Sequence, residues 1–157
     1  MKRRLLVLCT AAVTALGLAA VAWADSPHWN SYSDSISSNG YLTCSFKEVG
    51  LGTISSTSIT CTADATATYY CVNGGNNHPK AANKETTTEP VSGGGNYPVR
   101  NGQTTGDITV APPGPGDFSC PGGQRLVLGD VSYTNVVLHG EAGDQPLADR
   151  SITLVSF

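Results

Sequence analysis

The most regular pattern in the chain is an alternation of apolar and polar residues from Ile59 to Val72. Every odd-numbered residue from Ile59 to Cys71 is apolar, small or aromatic, and every even-numbered residue from Thr60 to Thr68 is Thr or Asp. A period of two predicts a β-strand with one buried and one solvated face. The alternation is longer than a usual strand, so we expect a bulge or a change of sheet near residues 64–66.

The preceding segment, Tyr41–Val49, also alternates and is predicted to be the neighbouring strand. A turn is expected at Gly50–Thr53, between the two strands. A hairpin centred on that turn sets Cys44 opposite Cys61 and keeps the buried faces of both strands together, whereas a slip of one residue exposes one of them. The register therefore predicts a Cys44–Cys61 disulfide between paired strands.

The rest of the chain predicts more short strands, separated by turns rich in Gly, Pro and Asn. Asn101-Gly102 is the strongest hairpin signal, and Gly93–Gly95 is expected to be a flexible turn. Residues 25–40 are expected to form an N-terminal arm or an edge strand. The later strands are predicted at 84–91, 97–100, 104–111, 124–128, 131–139 and 151–157.

These strands indicate the fold class. No stretch of helical period follows residue 24. We therefore predict an all-β protein with a single domain at residues 41–157, an immunoglobulin-like β-sandwich stapled by two disulfides. A closed barrel is the alternative architecture.

The first 24 residues have the pattern of a secretory signal peptide. Three basic residues, Lys2 to Arg4, precede an apolar run that ends in Ala22-Trp23-Ala24. The alternative is a membrane anchor, because the apolar run approaches the length that spans a bilayer. Its Ala-rich second half and the polar sequence after it favour cleavage after Ala24. We therefore expect a secreted, extracellular protein.

Export changes the interpretation of the cysteines. Cys9 leaves with the signal peptide, and an even number of cysteines in an exported chain predicts disulfides. The four that remain allow three pairings, and the hairpin register selects Cys44–Cys61, which leaves Cys71–Cys120. Their wide spacing lacks the Cys-x-x-Cys pairs of a structural zinc site.

Charge excludes two classes of partner. Three of the nine basic residues lie in the signal peptide and all twelve acids lie after it, so the mature chain carries six basic residues and a net charge of −6. The basic residues are scattered singly, which is unlike a nucleic-acid-binding surface. Nor do they form the basic cluster that holds a protein on an anionic membrane.

No motif of catalysis or metal binding stands out. The three histidines, at positions 28, 78 and 139, show no ligand spacing. Glu85 and Glu89 share one strand face but are interpreted as solvated charge. The acids beside Gly-rich turns, Asp107, Asp117, Asp130 and Asp144, lack the spacing of a calcium loop. We therefore predict a non-catalytic protein with no metal and no cofactor.

Aromatic residues are the remaining candidates for a binding site. Trp29, Tyr70 and Tyr97 are predicted to stack on a ligand, and the alternation turns Tyr70 outward. We expect a binding or cell-surface module whose partner is a cell-wall glycan or a secreted protein. The alternative is a secreted protease inhibitor that presents the loop Pro115–Gln124 beside Cys120.

Four segments resemble a group of short secreted β-rich proteins of actinomycetes and fungi. They are FKEVGLG, TADATATYYCVNGGNNHPKAANK, PPGPGDFSCPGGQ and VSYTNVVL. The resemblance extends over residues 46–138. It implies export and a β-rich fold, and it implies no activity and no site residues.

Overall fold

The computed structural model describes residues 26–73 and 83–155, and within them the chain forms strands and no helix. The strands are β1 His28–Ile36, β2 Leu42–Val49, β3 Ser56–Asn73, β4 Lys84–Pro98, β5 Gln103–Val110, β6 Gln124–Gly140, β7 Gly143–Pro146 and β8 Arg150–Thr153. The predicted signal peptide at residues 1–24 lies outside the described residues. In the described part, a helix suited to crossing a membrane is absent.

The strands form two antiparallel sheets that face each other. One sheet has the order β1-β2-β5, and the other has the order β4-β3-β6-β7, with β8 also paired to β6. The core lies between the sheets, because the inward side chains of β2 and β5 pack against those of β3 and β6. The all-β class is confirmed, and the two sheets are compatible with the predicted immunoglobulin-like sandwich. Residues 28–36 are an edge strand of the smaller sheet.

The structure contains both predicted disulfides, Cys44–Cys61 and Cys71–Cys120. The predicted hairpin between β2 and β3, the strands that carry Cys44 and Cys61, is wrong, however. β2 pairs with β1 and β5, and β3 pairs with β4 and β6. The Cys44–Cys61 bond therefore crosses the core from one sheet to the other instead of joining neighbouring strands.

Two further predictions are corrected between residues 84 and 111. The Asn101-Gly102 turn is present, with φ angles of 52° and 71°, and Arg100 and Gln103 exchange backbone hydrogen bonds around it. The strands on either side then diverge, because β4 joins the larger sheet and β5 the smaller one. The predicted flexible turn at Gly93–Gly95 is part of β4. At Gly94 an added Cβ would lie 2.3 Å from the carbonyl oxygen of Ile59 in β3, and at Gly93 it would lie 2.8 Å from that of Thr109 in β5.

The strand β6 is one continuous element where two were predicted. Its pairing with β3 is interrupted twice, at Gly129 and at Asn135–Val136, where β6 carries an extra residue. The irregularity expected near residues 64–66 of β3 therefore lies slightly earlier, opposite Ala63, and the extra residue belongs to the partner strand. The short strand β7 was not predicted.

Candidate functional site

The outer face of the five-stranded sheet carries two parallel rows of hydroxyl groups. The even-numbered residues of β3 point outward, because the odd-numbered ones fill the core. The register places similar residues beside them on β4, β6 and β8. We call this surface the outer hydroxyl face, and it consists of Thr66, Thr68, Thr86, Thr88, Asp130, Ser132, Ser151 and Thr153.

Hydrogen bonds hold six of these eight side chains in place. The hydroxyl oxygens of Thr66 and Thr88 lie 2.9 Å apart, and those of Thr68 and Thr86 lie 3.1 Å apart. Each pair shares one proton, so the other hydroxyl proton and several lone pairs stay available to a ligand. Where the outer hydroxyl face continues from β3 over β6 and β8, it contains a shallow depression of about 380 Å³. The face thus offers fixed donors and acceptors.

Tyr70 lies at one end of the outer hydroxyl face. Its hydroxyl donates a hydrogen bond of 2.8 Å to Oδ2 of Asp130, whose Oδ1 accepts one of 2.9 Å from Thr153. Its ring lies directly over Gly129, where an added Cβ would be only 2.2 Å from Cε2 of the ring. Burial raises the pKa of Tyr70, and the hydrogen bond to Asp130 adds to the increase. The ring is therefore fixed beside the hydroxyl rows.

A chain of three polar side chains lies towards the other end of the same sheet. Oγ1 of Thr62 is 2.9 Å from Nε2 of His139, and Nδ1 of His139 is 2.7 Å from Oδ1 of Asp144. The extra residue at Asn135 brings His139 to this side, because it shifts the inward positions of β6 from odd to even numbers. Sequence reasoning missed this chain, although the same shift is visible in the apolar pattern from Val131 to Leu138.

A second depression, of about 360 Å³, adjoins Thr62 on the side facing β4. Ser92 lines it and is the cross-strand partner of Thr62. Asp64, Pro90 and Asn135 also line it, and the side-chain amide of Asn135 donates a hydrogen bond of 2.8 Å to Asp64. Thr62 thus lines a shallow depression at the surface of the sheet.

The other two predicted stacking residues, Trp29 and Tyr97, lie elsewhere. Both pack edge-on against Phe46 at the inner side of the sandwich, with ring centroids 6.3 Å and 4.8 Å from it. The Trp29 indole N–H donates to the carbonyl of Gly143. Tyr97 is the cross-strand partner of Thr57, near the start of β3, whereas Tyr70 lies near the end of that strand. The structure therefore does not bring the three aromatic residues together.

The loop Pro115–Gln124 folds back on itself. The amide of Phe118 donates to the carbonyl of Pro115, and the amide of Gln124 donates to that of Pro121, each at 3.1 Å. Cys120 lies between these two tight turns and is bonded to Cys71. The loop is thus exposed and anchored, but it is compact and not extended.

A buried polar layer closes one end of the core. It consists of Glu48, Thr57 and Thr104, which are 0%, 4% and 3% exposed. One carboxylate oxygen of Glu48 accepts a hydrogen bond from the amide of Ala142. Its other oxygen and both threonine hydroxyls are buried with no hydrogen-bond partner among the described residues. Burial raises the pKa of Glu48, with a smaller increase from the charge of Glu141 and an opposing effect of the Ala142 hydrogen bond.

The remaining polar candidates are separated from one another. Glu85 and Glu89 are exposed on β4, and Asp107 accepts a hydrogen bond from Ser45. His28 contacts the backbone of Ser26, and His78 lies outside the described residues. Within the part of the chain that the structure describes, His, Cys, Asp and Glu form no group of three able to share a metal ion.

Comparison with known protein families, curated proteins and solved structures gave no match.

Proposed function

We propose that this protein is a secreted module that binds a glycan through its outer hydroxyl face. The observation that carries the proposal is the pair of hydroxyl rows across the five-stranded sheet, with Tyr70 fixed at one end. Sugars are polyols, and each of their hydroxyls both donates and accepts hydrogen bonds. Threonine and serine hydroxyls do the same, so the two surfaces are complementary.

The chemistry of the face favours a glycan over a protein partner. Its groups are hydroxyls and one carboxylate, whereas protein interfaces have a core enriched in aromatic residues, Met and Arg. Both oxygens of Asp130 are held by hydroxyl donors, which keeps the carboxylate in a fixed orientation as an acceptor. The ring of Tyr70 adds an apolar surface against which the face of a sugar ring can pack.

Secretion is supported by two features of the chain. Disulfides form and persist in oxidising compartments, and this structure contains two. The first 24 residues also have the composition of a signal peptide.

The proposal is tested by removing hydroxyls from the face. The double variant Thr66→Val, Thr68→Val keeps the shape and β-propensity of both side chains. The matched control is Thr43→Val, Thr109→Val, because these residues are cross-strand partners on the smaller sheet. Pull-down on cellulose, chitin and peptidoglycan should deplete the wild-type protein and the control. Loss of two hydrogen bonds of about 0.5–1.5 kcal/mol each, about 1–3 kcal/mol together, should weaken binding by the first variant about 5- to 150-fold.

A third variant tests the part played by Tyr70. Gly129→Ala places a methyl group against the Tyr70 ring and displaces it without removing any hydroxyl. We expect weaker binding to the polysaccharide that the wild type prefers. Retention of wild-type protein on none of the polymers, or equal retention of every variant, would refute the proposal.

A protease inhibitor is the second candidate, because the Pro115–Gln124 loop is exposed and anchored by Cys120. The two tight turns shorten the segment that a protease could bind in extended form, so the geometry supports this function less well. Assays against subtilisin-like and trypsin-like proteases distinguish the candidates. Nanomolar inhibition that is lost when the loop is cut would establish the inhibitor instead.

A further inference from the structure

We propose that Thr62, His139 and Asp144 form a nucleophilic relay that cleaves small acyl esters. This goes beyond the non-catalytic role expected from the sequence. Only the identity of the esterified alcohol, a glycan hydroxyl, rests on the proposed function. The relay itself rests on the two hydrogen bonds and on the depression beside Thr62.

The order of atoms along the relay is the one that hydroxyl activation requires. A carboxylate only accepts hydrogen bonds, so Nδ1 of His139 carries the proton that Asp144 accepts at 2.7 Å. In the neutral imidazole, Nε2 is then the acceptor, and the Thr62 hydroxyl donates to it at 2.9 Å. The hydroxyl, the base and the orienting carboxylate therefore occur in the sequence of roles found in serine hydrolases.

The fold holds these groups on three adjacent strands. His139 and Asp144 are cross-strand partners on the β6–β7 hairpin, and Thr62 lies diagonally across on β3. The extra residue at Asn135 is what brings His139 to this face. Bulges of this kind commonly re-aim side chains next to active sites.

The relay is open to a substrate. The side chain of His139 is 36% exposed, and the depression lined by Ser92 and Asn135 adjoins Thr62. Ser92 is the cross-strand partner of Thr62, so its hydroxyl is the donor that we assign to the developing oxyanion. A single hydroxyl stabilises an oxyanion less than a pair of fixed backbone amides, so we expect slow turnover of activated esters.

The reaction proceeds in two stages, acylation of Thr62 and hydrolysis of the acyl-threonine ester. The Thr62 hydroxyl adds to the acyl carbon while Nε2 of His139 takes its proton, and the carbonyl electron pair moves to the oxygen. Collapse of this adduct expels the alcohol, which receives the proton from His139 and leaves an acyl-threonine ester. Water then adds with the same proton relay and releases the carboxylic acid and free Thr62. Asp144 is a positioning residue, since it acts through His139.

The test uses the purified chain and p-nitrophenyl acetate as the probe. Release of p-nitrophenolate is followed by absorbance, and the site of acetylation is located by mass spectrometry of peptides. We expect a single acetyl group on Thr62. Thr62→Val should abolish this modification, and Thr62→Ser should retain it. His139→Asn should slow it by about 100-fold or more.

Two further variants separate catalysis from structure. Asp144→Asn should slow acetylation by a smaller factor than His139→Asn, because Asp144 is 72% exposed, and Asp144→Glu should restore part of the rate. Thr109→Val, on the other sheet, is the matched control and should acetylate at the wild-type rate. Thermal unfolding checks that Thr62→Val remains folded.

Acetylation that spreads over lysines, or that persists equally in Thr62→Val, would overturn the relay. Equal rates for wild type and His139→Asn would do the same. Polysaccharide pull-down is measured on the same samples, so the two proposals fail separately. Binding without acetylation refutes the relay alone, and acetylation without binding refutes the glycan proposal alone.

Discussion

Replacing Glu48 by glutamine is expected to stabilise the protein at neutral pH and to remove part of its pH dependence. Glu48 is fully buried, and one of its carboxylate oxygens has no hydrogen-bond partner among the described residues. Burial therefore raises its pKa in the folded protein above the ordinary value of 4.5. The folded state holds the proton more tightly than the unfolded chain does. The resulting stabilisation is complete below the unfolded pKa and is lost as the pH rises through the folded pKa.

The magnitude follows from the unpaired oxygen. An unsatisfied buried polar group costs about 1–3 kcal/mol, and more when it is charged. Glutamine keeps the shape and the acceptor for Ala142, and its amide protons replace the bare oxygen. The hydroxyl of Thr104, its cross-strand partner, is available to accept one of them. For a domain of roughly 120 described residues, about 1–3 kcal/mol corresponds to a rise in Tm of about 4–12 °C.

Chemical denaturation at a series of pH values between about 5 and 8 measures this effect. The difference in unfolding free energy between Glu48→Gln and the wild type should widen as the pH increases. Glu89→Gln, the same change at an exposed site on β4, should show no such trend. Parallel pH profiles for the wild type and Glu48→Gln would contradict the reasoning. Should the variant not fold, a wild-type free energy of unfolding that does not decline as the pH rises from about 5 to 8 would contradict it equally.

Three other changes have defined expectations. Cys71→Ala with Cys120→Ala removes a crosslink over a separation of 49 residues and should cost about 4 kcal/mol in denaturant unfolding. Tyr133→Phe should cost about 1 kcal/mol, because the buried hydroxyl donates to the carbonyl of Gly40 at 2.8 Å. Burial raises the pKa of Tyr133 to about 12, so ultraviolet titration should show it ionising at higher pH than the exposed tyrosines. The stabilisation linked to its proton should be present below pH 10 and lost as the pH rises through about 12. Gly94→Ala should lower the Tm by several degrees, because Gly94 has a φ of 136° and an added Cβ would be 2.3 Å from the carbonyl oxygen of Ile59.

The alternation of β3 correctly predicted which of its residues point inward and which point outward. It did not predict that β2 lies in the opposite sheet and not beside β3. An inward side chain contacts neighbours in its own sheet and the residue opposite in the other sheet. Symmetry about the turn after β2 therefore set Cys44 opposite Cys61 in either arrangement, and the disulfide is right although the hairpin is wrong. The amide of Leu51 in that turn bonds to the carbonyl of Gly102, so the turn contacts the β4–β5 connection and does not close a hairpin. Such long-range contacts leave no periodic trace in the sequence.

The candidate site also depends on long-range contacts that the sequence pattern does not show. The outward threonines of β3 follow from the alternation alone, but the partner of Thr62 lies 77 residues away on β6. Its position requires both the order of strands in the sheet and the extra residue at Asn135, which has a φ of 52°. Without that residue, continued odd-numbered inward positions would turn His139 into the core, where an imidazole would need a buried partner. The shift from Tyr133 to Val136 in the inward pattern is thus the one sequence signal that connects the packing of β6 to the chemistry on its outer side.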